Sequence, residues 1–227
     1  MPRTARIAPG GMVFHVLNRG VGQMRLFYKD ADYEAFERYL ARTLETCPMR
    51  ICSYCLMPTH WHLVLWPEKD GELGAFMQKL TVTHVRNWQE HRKKVGMGHV
   101  YQGRYKSFPV ETDDYFYQVS RYVERNAYRA NLVKDADQWR WSSLWRREHG
   151  DSQQRQLLAA WPLPRPRKWL SIVQDGQTAS ELKAIRRSVN KGIPFGSETW
   201  VKKTAKKLGL ESTMRPRGRP KKRSATK

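Results

Sequence analysis

Ile51-Cys52-Ser53-Tyr54-Cys55-Leu56-Met57-Pro58-Thr59-His60-Trp61-His62-Leu63-Val64-Leu65-Trp66 is the stretch on which the fold turns. It is apolar, rich in β-branched and aromatic residues, and broken near Pro58, so it predicts two buried strands, 49–57 and 60–66. In a strand, residues i and i+2 point the same way. His60 and His62 therefore present two imidazoles side by side from a rigid sheet, where they can share a divalent metal. Two partly buried histidines satisfied by hydrogen bonds are the other reading of this spacing. Cys52 and Cys55 form a C-x-x-C within the first strand. Alternation sends them to opposite faces, which makes them core residues rather than a zinc or redox pair.

Upstream, residues 12–18 predict a strand, with Gly20 and Gly22 in the turn that follows. Asp30 or Asp32 can cap a helix running to about Cys47, with Phe36, Tyr39, Leu40 and Leu44 on one face. Downstream, a helix is expected from about Glu72 to Lys93, striped by Leu73, Phe76, Met77, Leu80 and Val85. Residues 96–111 read as loop then strand, and 113–125 as a helix opened by Asp113 or Asp114. The order β-α-β-β-α-β-α predicts an α+β fold: a ferredoxin-like or RNA-recognition-like antiparallel sheet with helices on one face. The core domain is assigned to 1–146. The polar, then proline-rich stretch 147–168 (Pro162, Pro164, Pro166) is expected to be a linker. A small helical unit follows over 169–210, with Leu182, Ile185 and Val189 on one face, and 211–227 form a basic tail expected to be disordered when free.

Lys and Arg number 42 against 21 Asp and Glu in 227 residues, a net charge of +21. That surplus favours a polyanionic partner, DNA or RNA by default, with an anionic membrane as the competitor. No long apolar stretch and no signal peptide are seen, so a soluble, unexported protein is expected, cytoplasmic and associated with the nucleoid. Three cysteines (Cys47, Cys52, Cys55) argue against a disulfide scaffold. Nine tryptophans and ten tyrosines supply a core and rings able to stack on unpaired bases. No Gly-x-x-x-x-Gly-Lys-Ser/Thr loop is present, so no nucleotide cofactor is expected.

The third helix carries Tyr115, Tyr117, Tyr122, Asn126 and Tyr128. Tyr122 and Asn126 are four apart and share a face if the helix runs that far; Tyr115, seven before Tyr122, shares it too. A tyrosine is a weak nucleophile at its ordinary pKa near 10, and a neighbouring metal can polarise a phosphodiester for it. Two imidazoles, an amide oxygen and a substrate phosphate would make an open metal site. Core aromatics at helical spacing are the plain alternative, and Tyr115 is the rival nucleophile. Arg104 and Lys106, just before this helix, and the stripe Arg121, Arg125, Arg129 are candidate phosphate contacts or solvated charges. His84, His91 and His99 read as surface residues. Arg215-Pro216-Arg217-Gly218-Arg219-Pro220 resembles an AT-hook, which would lay Arg217 and Arg219 along an A·T minor groove.

Pro58-Thr59-His60-Trp61-His62 resembles the histidine–hydrophobic–histidine motif of the single-tyrosine HUH transposases of the insertion-sequence 200/605 type. Tyr101-Gln102-Gly103-Arg104-Tyr105-Lys106 and Arg121-Tyr122-Val123-Glu124-Arg125-Asn126 resemble the later signatures of that family, over roughly residues 5–145. The nearest likeness is to the REP-associated tyrosine transposases, which act on short palindromic repeats. The resemblance implies a ferredoxin-like nuclease and a divalent metal, Mg²⁺ or Mn²⁺, on His60, His62 and Asn126. It further implies cleavage of hairpin-forming single-stranded DNA through a 5′-phosphotyrosine at Tyr122, by a monomer or a homodimer. Where many members read Asn-Pro this chain has Asn126-Ala127; a proline would end the helix there. A non-catalytic repeat-binding protein of the same fold is the rival. An RNA-binding protein lacks its expected Lys/Arg-Gly-Phe-type strand signature.

Overall fold

The structure, a computed structural model, describes residues 7–215. Four strands form one antiparallel sheet: β1 (Val13–Arg19), β2 (Arg50–Met57), β3 (His60–Trp66) and β4 (Lys106–Val110), in the order β2-β3-β1-β4. This is the ferredoxin-like order, with α1 (Asp30–Leu44) linking β1 to β2 and α2 (Glu72–His91) linking β3 to β4. α1 starts where Asp32 reaches back to the amides of Tyr28 and Lys29 (2.7 and 3.3 Å), covering donors the first turn leaves open.

Alternation splits the sheet into two apolar faces. Phe14, Val16, Tyr54, Leu56, Trp61, Leu63 and Leu65 pack with Phe36 and Leu40 of α1 and Leu73, Phe76 and Leu80 of α2. Val13, Cys55, Met57, Val64, Phe108 and Val110 pack instead with Phe116, Val119, Tyr122 and Val123. Those four belong to α3 (Asp114–Glu124), opened by Asp113, whose carboxylate accepts from the Tyr115 amide at 2.9 Å. Helices on one face, the expectation from sequence, therefore holds for α1 and α2 only. The strands are apolar on both sides, so the second face needs its own cover.

Two further expectations need correcting. Cys52 and Cys55 do not point to opposite faces; both join the α3-side cluster. A register shift between Ile51 and Ser53 makes Cys52 a bulge residue, which breaks the alternation. Both are free, buried thiols, with burial pushing each up to about 12. His84 is not on the surface: it is buried, with its Nδ1 2.5 Å from the Tyr101 hydroxyl, which also accepts from Trp61 Nε1 at 2.9 Å. His91 and His99 are exposed.

The chain beyond α3 closes the sheet. After α4 (Asn126–Arg129), Trp141 and Ser142 lie along β2: Leu56 N donates to Trp141 O (2.9 Å) and Ser142 bridges Cys55. α5 (Ser143–Glu148) brings Arg146 onto Glu37 of α1 (2.7 Å) and onto the Tyr54 hydroxyl (2.7 Å), a buried charge cluster that ties helix to sheet. The stretch 147–168 includes α6 (Ser152–Arg155) and lies on the core, with Trp161 Nε1 donating to Cys52 O (2.7 Å). The C-terminal helices are α7 (Trp169–Gln174), α8 (Ala179–Lys191), α9 (Glu198–Lys207) and α10 (Glu211–Met214). Residues 211–214, grouped with the tail from sequence, thus form a last helical turn. Between α8 and α9, Phe195 bonds Pro109 O and Glu111 N (2.9 Å each) along β4. Both sheet edges are therefore occupied, which removes open pairing sites. No helix among the described residues is long and apolar enough to cross a membrane.

Candidate functional site

β3 opens with His60, and what precedes His60 is tightly held. The turn Pro58-Thr59 receives the amide of Gly20 on Thr59 O (2.9 Å) and that of Leu26 on Pro58 O (2.7 Å). A side chain at position 20 would run into the Met24 carbonyl, so only glycine lets β1 end this close. The register then sets His60 opposite Arg19 and Met57, and His62 opposite Leu17 and Cys55.

His60 and His62 share the α3-side face, as alternation requires, with ring centroids 5.1 Å apart. The Nδ1 of His60 is 3.0 Å from Thr59 Oγ1. The Nδ1 of His62 is 2.9 Å from Nε2 of a third buried imidazole, His15 of β1. The remaining ring nitrogen of His60 and of His62, Nε2, is the atom each can offer to a cation. Burial lowers all three: His15 to about 3, His60 to about 4 with Arg19 and Arg129 adding to it, and His62 well below its ordinary value, with His15 and His60 next. All three are neutral at pH 7, the form a metal needs.

α3 lays Tyr122 over this group. Its ring stands edge-on to His62 (5.8 Å) and His15 (6.3 Å). The helix breaks at Arg125 and restarts at Asn126. Arg129 spans the break: Nη1 donates to Tyr122 O (3.3 Å), Nη2 donates to Asn126 Oδ1 (3.1 Å), and the guanidinium sits 4.3 Å from the Tyr122 ring centre. A carbonyl orphaned by the break and the candidate ligand oxygen are thus held by one side chain. Asn126 is buried, and its Nδ2 has no hydrogen-bond partner. Ala127 retains an amide that a proline would lack, and that amide bonds Cys55 Sγ.

The remaining candidates separate. Tyr115 packs its ring against Phe195 (5.2 Å), toward the Val13–Val110 end of the sheet and away from His60. Tyr117 donates to Pro164 O (2.7 Å). Arg121 and Arg125 do not join the histidines; Arg121 Nη2 donates to Gly176 O (2.7 Å), and Arg125 Nη1 to Val173 O (2.7 Å) and Gln174 O. They cover the carbonyl end of α7, where cations suit the helix dipole. Arg104 and Lys106 line a cleft of about 210 Å³ with Leu17, Arg19, Val189 and Asn190, next to the histidine face. Arg217 and Arg219 lie outside the described residues.

Among the described residues no three His, Cys, Asp or Glu side chains are grouped to hold a metal ion. Sequence reasoning missed His15 and Arg19, because strand adjacency is not written in the sequence. Arg129 was legible: it is three residues from Asn126 and seven from Tyr122, on one helical face.

The family described as Transposase IS200 like matches residues 11–126, just over half of the 227. The fold is similar to that of a solved REP-associated tyrosine transposase bound to a REP hairpin, with a TM-score of 0.54 and 16% identity over 78% of this chain and 93% of that one. At that identity the likeness speaks for the fold alone. No curated protein matches the chain.

Proposed function

The chain belongs to the IS200-like transposases, and on that premise we propose that it cuts and rejoins hairpin-forming, repetitive palindromic single-stranded DNA through a 5′-phosphotyrosine. The observation that carries this reading is the placement of Tyr122 at 5.8 Å from His62, beside the neutral pair His60 and His62. Tyr122 Oη attacks the scissile phosphorus, the P–O3′ bond breaks, the phenolic proton passes to water and the leaving oxygen takes one from water. A 3′-OH then attacks the phosphotyrosine, restoring the phenol and a phosphodiester. Bond energy is conserved, so no nucleotide is consumed. Arg129, over the Tyr122 ring, attracts the phosphate.

The donor set fits a divalent cation: Nε2 of each neutral histidine and Oδ1 of Asn126, with Arg129 standing against that oxygen in its place. Mg²⁺ or Mn²⁺ held there would supply positive charge to the phosphate oxygens. Arg19, Arg104 and Lys106 in the adjoining cleft hold the DNA backbone, and Arg217 and Arg219 add affinity from the tail. A hairpin is the partner in the similar solved structure, which supports the same class of DNA here.

The test is an adduct assay with a labelled hairpin carrying single-stranded flanks. Wild type should leave protein on DNA after boiling in detergent; Tyr122→Phe should bind but leave none, and Tyr115→Phe should behave as wild type. Excess EDTA should abolish the adduct and Mn²⁺ restore it. An adduct from Tyr122→Phe would remove the nucleophile assignment. Binding with no adduct under any condition would favour a non-catalytic repeat-binding protein.

A further inference from the structure

His15 stands where an apolar residue would be expected. It lies mid-strand between Phe14 and Val16, has no exposed surface, and its ring packs on Phe108 at 4.9 Å and stacks on His62 at 5.0 Å and 27°. One nitrogen, Nε2, is 2.9 Å from His62 Nδ1; the other, Nδ1, is buried with no partner. A polar atom left unpaired in a core is destabilising, so packing alone does not account for this residue.

We infer that His15 is a positioning residue that sets which ring nitrogen His62 turns toward the site. A neutral imidazole carries one proton, and a single proton occupies the hydrogen bond between the two rings. If that proton belongs to His15, His62 must carry its own on Nε2 and cannot ligate. If it belongs to His62 Nδ1, then His62 Nε2 has a free lone pair, and His15 carries its proton on the unpartnered Nδ1. Passing from the first state to the second moves the shared proton across the 2.9 Å bond, releases one proton from His62 Nε2 and takes one up at His15 Nδ1. Ligation by His62 therefore goes together with the second state, and His15 supplies the acceptor that makes it available. His60 has no such device: its Nδ1 faces the Thr59 hydroxyl, which donates or accepts equally well. The inference rests on the proposed metal reading and assigns a role to a residue that reading does not use.

The experiment titrates Mn²⁺ onto the full chain and reads free Mn²⁺ by electron paramagnetic resonance. His15→Phe keeps the ring volume and removes the acceptor; its affinity should fall about 10- to 100-fold, while hairpin binding in EDTA and the melting temperature hold. His15→Gln, whose amide oxygen accepts from His62 Nδ1, should recover most of that loss. Equal affinity in wild type and a folded His15→Phe overturns the inference and leaves the metal reading intact. No Mn²⁺ binding by wild type overturns both. If His15→Phe does not fold, long-range ¹H–¹⁵N NMR of Mg²⁺-loaded wild type decides: the His62 proton on Nδ1 supports the inference, and on Nε2 overturns it.

Discussion

Arg129 is the residue that joins the proposed nucleophile to the proposed ligand. Its guanidinium bonds both Tyr122 O and Asn126 Oδ1 and lies over the Tyr122 ring. Burial lowers its pKa, and the nearby Tyr122 pulls the other way. A lysine keeps the charge but cannot hold the two oxygens in one plane. Arg129→Lys should slow adduct formation about 10- to 100-fold, the worth of a charged hydrogen bond of about 1.5–3 kcal/mol. Hairpin affinity should change little, because Arg19, Arg104 and Lys106 are untouched. Single-turnover rates beside filter binding separate the two; a loss of affinity equal to the loss of rate would make Arg129 a plain phosphate contact.

At the scale of elements, α3 is gripped from behind. While Tyr122 faces the histidines, Glu124 is fully buried on the far side, accepting from Ser143 Oγ of α5 (2.5 Å) and Trp169 Nε1 of α7 (2.6 Å). Arg121 and Arg125 bond the end of α7 from the same helix. The segment after the core thus fixes the helix of Tyr122, the proposed nucleophile, within its own chain, although no side chain of α7 is among the candidate site residues. Burial raises the Glu124 pKa above its ordinary 4.5, against the bonds from Ser143 and Trp169. A carboxyl raised in the folded state binds its proton more tightly there than when unfolded. Its contribution to stability is full below the unfolded pKa and falls as pH rises toward the folded one. Glu124→Gln cannot titrate, so its melting temperature relative to wild type should rise as the pH is raised from below the ordinary 4.5 toward neutral. A difference that stays flat or falls over that range would show the carboxylate to be the favoured buried form.

The whole molecule is a polycation with its candidate site at one end of the sheet. Deleting residues 216–227 removes six Lys and Arg side chains from a net charge of +21 and none of the site. Each lost phosphate contact should flatten the salt slope of single-strand binding by about 0.7. The truncated chain should therefore bind hairpins more weakly at moderate salt, yet form adduct at nearly the full rate when DNA is saturating. A slope that does not change would show that the tail makes no contact with phosphate. If Arg217 and Arg219 act as an AT-hook, the loss should be larger on A·T-rich duplex than on mixed sequence.

Local chemistry made much of this legible in advance. The two-residue repeat of strands put His60 and His62 on one face, and the apolar runs and turn signals gave the element order. The motif around His60 and Tyr122 gave the family. The alternation rule failed at Cys52, where a bulge inserts one residue, and the surface reading failed at His84, whose partner Tyr101 is 17 residues away. Tertiary structure decided what spacing left open between Tyr122 and Tyr115, because helical spacing places both on one face and only docking decides which end meets His62. It alone split the arginine stripe, sending Arg121 and Arg125 to α7 and Arg129 to Tyr122, because the helix breaks at Arg125. It alone brought His15 to His62, 47 residues apart. Sequence encodes periodicity within an element; which elements become neighbours is set by burying every apolar face at once, and that is a property of the folded chain.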